Sequence, residues 1–480
     1  MKKIFLLAIV LSLFSCDEKD ITFSPYNAIT EETVFNTEAD FKNAISGAYA
    51  YMIKRGGASG YGQELLIDSE VATDNVILNL QGRLSNRDGF RFTSTPSNSH
   101  FDFYNSAYRS IYIANLVLEQ INKLPAGSGR DNITGEALFI RALNHLELLR
   151  NYAKIPTQSS DALSSLGVAY VTEPDVALRP SRSSVQDGYS KVLADLNTAK
   201  NLISSTYVNG RSNKAAVYAL LSRVYLYLGD YPNCIASSNL AISSIPSITL
   251  ATRAQVYTSA TSGLWEDSNV AGVLFKVRID LVDGTVPGVA YSQAVGANIR
   301  SEYVVSKELF DLYNSTDIRK SAYIKTGVFS GNNYNHIVKY DGRGTGTRNL
   351  VDIKVLRLEE VYLNKAEAEY RLSGTGLATL DLLRAQRYSG FVSGGESGTA
   401  LLASILKERR LELAFEMDRF YTLKRLGLPV TRSSTDGHFA DGSGTPAEAL
   451  SLPAGDFRWQ FPIPLEEINY NPNLQQNPGY

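Results

Sequence analysis

AAVYALLSRVYLYLGDYPNCIASSNLAISSIP, from Ala215 to Pro246, carries the clearest structural pattern in the chain. Its first half places Tyr218, Leu221, Ser222 and Tyr225 at helical spacing, large against small. Gly229-Asp230-Tyr231 marks a turn, and a second apolar period follows with Cys234 and Ala241 before Pro246 closes the unit. Alternating large and small residues let two helices approach and interdigitate. The pattern predicts a helix–turn–helix repeat of about 34 residues. Ser238 departs from it, because such repeats carry an aromatic there.

The same period recurs on both sides of this unit. Phe101 to Ile121 carries Tyr104, Tyr108, Ile111, Asn115 and Leu118 on one face. Gly135 to Tyr152 reads as a helix stopped by Pro156, and Val185 to Ile203 as another. Leu356 to Leu372, Leu377 to Gln386 and Ser404 to Leu426 extend the series. Repeat helices of the tetratricopeptide type are therefore expected over about 101–248 and 354–427, giving a mostly α chain. A solenoid of a few repeats needs caps at its open ends, which the rest of the chain would supply. Two stretches break the rhythm, 56–96 and 249–350, rich in Gly, Ser, Asn and Tyr, with short strand-like pieces such as Val273 to Ile279. Long irregular segments inside a compact protein are usually functional or disordered, and their aromatic content argues against disorder. Ser389 to Thr399 reads as a connector.

The 480-residue chain is 44% hydrophobic with a formal net charge of -2, enough for a large core. No basic stripe is present, so nucleic acid is not an expected partner. The N-terminus reads as a targeting segment. Lys2 and Lys3 precede the apolar run Ile4 to Leu13, which is too short to span a bilayer. Ser15-Cys16 then fits lipoprotein processing, with 1–15 removed, Cys16 acylated and 16–24 an acidic tether through Asp17-Glu18-Lys19-Asp20. Cys234, the other of two cysteines, reads as a small buried hydrophobe. No later segment offers a run of apolar residues long enough for a membrane helix.

Chemistry-bearing patterns are missing. His100, His145, His336 and His438 show no HExxH spacing, and no GxSxG elbow occurs. Gly342-Arg343-Gly344-Thr345-Gly346 lacks the Lys-Ser/Thr ending of a phosphate loop and reads as a plain loop. Glu408, Arg409, Arg410 and Glu412 mix signs on one helix and read as an ion-pair network between helices. No enzymatic activity, cofactor or metal is expected.

Four motifs carry a family resemblance. The terminal run Phe461-Pro462-Ile463-Pro464, Glu467-Ile468, Asn471-Pro472-Asn473-Leu474 and Gln475 to Tyr480 resembles the C-terminal signature (459–480 here) of the SusD/RagB proteins of Bacteroidetes. Ile405 to Gly427 is similar to a second family segment, with departures at Met417 for Gly, Phe420 for Trp and Thr422 for Asp. Leu356-Arg357-Leu358 through Ala368 is a third, and Tyr108, Ile111, Ala114 and Asn115 a fourth. The acidic cluster after Cys16 likewise resembles a surface-export signal of that phylum. The resemblance implies one SusD-like domain over 25–480, with tetratricopeptide-type helix pairs as scaffold and a few short strands, and with 56–96 and 249–350 forming the ligand face. It implies an outer-membrane lipoprotein capturing oligosaccharides beside a SusC-like TonB-dependent transporter. RagB-like peptide capture and a helical-repeat adaptor without small ligand are the alternatives. Sugars expose apolar C–H faces to aromatic rings and hydroxyls to amides and guanidinium groups. The expected contacts are therefore the non-periodic loop aromatics Trp265, Tyr61, Phe90, Tyr291, Tyr303, Tyr334 and Tyr340, with Asn75, Arg83 and Asn333 for hydroxyls.

Overall fold

The computed structural model describes residues 34–55, 58–62, 64–98, 103–258, 263–343 and 347–480. The leader 1–15, Cys16, the tether and His100 lie outside the described residues. The scaffold helices are α1 (Glu38–Ile53), α2 (Phe103–Gln120), α3 (Ser128–Tyr152), α4 (Val185–Leu202), α5 (Lys214–Leu228), α6 (Tyr231–Ser244), α7 (Leu358–Ser373), α8 (Leu377–Arg384), α9 (Gly398–Glu412) and α10 (Arg419–Arg425). The strands used below are β1 (Val76–Leu78), β2 (Val273–Val277), β3 (Tyr303–Val305), β4 (Ile324–Phe329), β5 (Asn332–Ile337) and β6 (Ile353–Arg357). The protein is mostly α, as the sequence predicts.

The repeat at α5–α6 forms for local reasons. Asn213 caps α5 by accepting the Ala216 N–H at 3.0 Å, and Gly229 ends it in the left-handed region at φ 74°. Asp230 then caps α6 by accepting the Asn233 N–H at 3.2 Å, with Pro232 in the first turn. α6 packs on both α5 and α7, and Leu226, Cys234 and Ala368 form an apolar cluster among these helices. Ser238 is fully buried and returns its hydroxyl to the Cys234 carbonyl at 2.8 Å. The small residue at 238 thus has a reason: an aromatic ring would have to displace the neighbouring helices. Burial pushes the Cys234 thiol up to about 12, so it behaves as a hydrophobe.

Upstream, α3 packs against α1, α2 and α4. Covered by helices on several sides, it is buried from Glu136 through Tyr152, with only Arg141 half-buried in that run. Polar side chains buried along it find partners in the interior, as in the Arg150–Glu147 pair at 2.5 Å and the Asn144 amide donating to the Ile140 carbonyl at 2.8 Å. One contiguous apolar core runs from Phe35 to Leu474.

The stretches 56–96 and 249–350 are more ordered than their composition suggests. They contribute β1 to β5, and Leu65, Leu66, Val71, Phe90 and Tyr291 lie in the core. β1 and β3, three residues each, are too short to show a period, and β2 shows none because it is buried on both faces. Four strands form an antiparallel sheet in the order β1-β3-β5-β4, with Val76 opposite Val305, Val304 opposite His336, and Ile324 opposite Ile337. β4 and β5 are joined by Ser330-Gly331, both at positive φ (47° and 85°), the two-residue turn whose twist suits a hairpin. β2 pairs with β6 and is buried along its whole length.

The sign-mixed segment of α9 is an ion-pair network, but its partners are distant in sequence. Arg319, Arg357 and Arg387 converge on Glu412 at 3.1, 3.1 and 2.8 Å. Glu408 pairs with Arg319 at 2.6 Å, Arg409 with Asp418 at 2.5 Å, and Arg410 with Glu308 at 2.6 Å. Met417 sits at φ 62°, which explains why glycine suits that position. The terminal segment wraps the surface: Asn477 donates to the Tyr152 and Phe461 carbonyls at 2.9 and 2.7 Å, and Arg182 donates to the Gln475 carbonyl at 3.0 Å.

Candidate functional site

The β4–β5 hairpin and the loop after α10 build the most suitable site. Phe439 and Ser443 close a tight turn, the Phe439 N–H donating to the Ser443 carbonyl at 3.0 Å. That turn docks on β5: the Ala440 N–H donates to the Asn333 carbonyl at 2.9 Å, and Asn335 Nδ2 donates to the Ala440 carbonyl at 3.4 Å. A cleft of about 490 Å³ results, lined by Phe310, Thr326, Asn332, Asn333, Phe439 and Ser443. A second cleft of about 470 Å³ includes Tyr257, Glu266, Lys325 and Asp341, and it adjoins the first at Thr326, which lines both. Hydrogen bonds from Ser443 hold the Asp441 carboxyl at the rim below the usual carboxylate range.

The lining of the first cleft is mostly amide and hydroxyl, with the rings of Phe310 and Phe439 partly exposed. Such a surface can bond hydroxyls and cover apolar C–H faces at once. Among the described residues, no group of three or more His, Cys, Asp or Glu is placed to hold a metal ion. His336 is a buried residue of β5; burial lowers it to about 4, and its Nδ1 is 2.7 Å from the Ser301 hydroxyl.

Of the ten expected contact residues, only Asn333 is an exposed lining residue of this groove. The seven aromatics are core residues, and that corrects the expectation of open stacking faces. Trp265, though it borders the second cleft, is 1% exposed. Its ring carries Lys339 at 4.2 Å, Lys354 at 5.4 Å and Arg357 at 5.3 Å. Tyr61 packs edge-on against Phe103, and Phe90 lies 3.9 Å beneath the Arg432 guanidinium. Tyr340 donates to the Phe415 carbonyl at 3.0 Å and lies beside Tyr291. Tyr303 donates to the Ser85 carbonyl at 2.5 Å, and Tyr334 is enclosed by His438 and Phe439. Asn75 is buried between Glu70 and Arg410, at 2.8 and 2.9 Å. Arg83 is bound to Glu302. The physical reason is common to all: each ring or polar tip fastens a loop to the core.

Sequence reasoning missed Phe439 and its loop. The signal was an aromatic within the Gly-, Ser- and Asp-rich run Ser433 to Thr445, outside the two stretches singled out.

Comparison with known proteins agrees with this architecture. Residues 24–226 match the SusD-like family model described as starch-binding and associating with the outer membrane, and residues 279–480 match the SusD family model. SusD-like protein P2 of Formosa agariphila is 25% identical over an alignment that covers 100% of this chain and 99% of that relative. The starch-binding protein SusD of Bacteroides thetaiotaomicron is 29% identical over 129 residues, 27% of this chain and 22% of that one. A SusD superfamily structure from Bacteroides thetaiotaomicron superposes with a TM-score of 0.79 at 26% identity, covering 92% of this chain and 100% of the other. A putative sugar-binding protein from Bacteroides vulgatus gives 0.80 at 26% identity, covering 93% and 100%. With these matches spread over both halves and the fold shared, the chain belongs to the SusD/RagB family.

Proposed function

We propose that this protein captures oligosaccharides at the cell surface, in the groove across Thr326, for import through a SusC-like TonB-dependent outer-membrane transporter, and that it acts by binding alone. The observation that carries the reading is the cleft of amides and hydroxyls, with the one carboxylate Asp441 at its rim, beside two partly exposed phenylalanine rings. The family's description as starch-binding and the sugar-binding name of a structural relative support the ligand class. Acylation at Cys16 would hold the protein on the membrane, facing outward.

Peptide capture has one specific observation in its favour. β4 is an edge strand of its sheet, and an extended peptide binds such an edge through its main chain. Native gels containing starch, laminarin, xylan or mannan separate the two readings when run with the protein lacking residues 1–16. Retardation by a polysaccharide, reduced at least about tenfold in affinity by Phe439→Ala with Asn333→Ala, is expected; one lost anchoring contact is worth about 1 kcal/mol or more. Retardation unchanged in the double variant would remove the groove as the site. Binding of extended peptides with no polysaccharide binding would establish the alternative.

A further inference from the structure

We propose that the cleft between residues 154–166 and the C-terminal strap is a second carbohydrate site, suited to a short neutral oligosaccharide and separate from the groove at Thr326. Its volume is about 650 Å³, within the range of small-molecule sites, roughly 300–1,000 Å³. Gln158, Ser159 and Ser165 face it from one side, and Phe457, Gln460 and Asn477 from the other.

The walls are fixed before any ligand arrives. Gln460 Nε2 donates to Gln158 Oε1 at 3.2 Å and ties one wall to the other. Trp459, fully buried, donates to the Pro453 carbonyl at 2.7 Å. Asn477 is held by the two carbonyl contacts already described. Phe457 nevertheless keeps 41% of its surface exposed. Tyr480 packs edge-on against its ring at 5.0 Å, and Gly479 passes so close, at φ 98°, that a Cβ would lie 2.4 Å from the ring. The chain end therefore orients an aromatic platform while leaving much of it open.

Charge indicates the ligand class. Lys154 is paired with Asp161 at 2.7 Å, and Asp456 with Arg458 at 2.6 Å. With its charges matched internally, the cleft offers amides, hydroxyls and a ring, which suits a neutral sugar better than a sulfated or uronic one. Two sites on one anchored molecule would hold a glycan polymer by avidity, since the second contact becomes intramolecular.

Crystals of the protein lacking residues 1–16 would be soaked separately with D-glucose, D-galactose, D-mannose and D-xylose. The same sugars would be titrated against fluorophenylalanine-labelled protein, with the Phe457 resonance assigned through Phe457→Leu. Sugar density against Phe457 in at least one soak, with a saturable shift of that resonance by the same sugar, is expected. Density should vanish in Phe457→Leu, whose strap keeps an apolar side chain. An empty cleft in all four soaks overturns the proposal, as does density without a solution shift, which is binding at crystal concentration only. Occupancy of the groove with this cleft empty removes the second site and leaves the proposed function standing; the reverse result does the opposite.

Discussion

Trp265 shows how a single ring is committed to the scaffold. Three cations stand within 5.4 Å of its centroid, and Lys339 among them is buried, its ammonium bonded to the Ala414 carbonyl at 2.8 Å. Burial lowers Lys339 to about 8, against the pull of Glu416. A ring that supplies its face to buried cations replaces part of their lost hydration. Trp265→Ala should therefore lower stability by about 3–5 kcal/mol in urea unfolding, the usual range for a buried aromatic. Asn333→Ala, at an exposed position, should stay within about 0.5 kcal/mol of the parent. Near-parental stability of the tryptophan variant would show that the cage contributes little. The sequence reveals that such aromatics lie off the repeat helices, but an irregular loop has no period from which to read inside from outside. Asn333 and Trp265 look alike in that respect, and only one is exposed.

At the scale of elements, α3 carries a titratable group held in one protonation state. His145 Nδ1 donates to the Arg141 carbonyl at 2.9 Å, so Nε2 is free to accept the Val171 N–H at 3.0 Å. The ring stacks on Tyr170 at 3.7 Å. Burial depresses His145 to about 3, with Arg141 and Lys191 adding like-charge repulsion. Between that value and the ordinary one for histidine, the unfolded chain binds this proton and the folded chain does not. Stability contributed by neutral His145 is complete above pH about 6.5 and is lost as pH falls toward about 3. Urea unfolding of the parent and of His145→Gln, compared between pH 7 and pH 4, is expected to show a shallower decline in the variant; parallel declines would exclude His145 as a source of acid sensitivity. Elements were unequally legible for a physical reason. The α5–α6 pair declares itself through local periodicity and caps. β1 and β3, three residues each, are too short to alternate, and they meet only through pairing across more than two hundred residues.

The whole molecule raises the question of attachment. Among the described residues, no helix is long and apolar enough to cross a membrane. The proposed attachment rests on Cys16, which follows a short apolar run and a serine. Each buried methylene of an acyl chain contributes about 0.8 kcal/mol, and more than one chain is needed for stable anchoring. A mature N-terminal cysteine can carry acyl chains on both its thiol and its amino group, so this one position can supply that energy. Cys16→Ala, expressed in a bacterium of the relatives' phylum, should shift the protein from the membrane fraction to the soluble fraction. Its affinity for whichever polysaccharide retards the parent should remain the same, because among the described residues the two clefts are lined by positions from 154 and from 310 onward. A variant that stays in the membrane fraction after high-salt washing would place the attachment elsewhere in the chain. One that is released but also loses glycan binding would show that the tether and the binding surface act together.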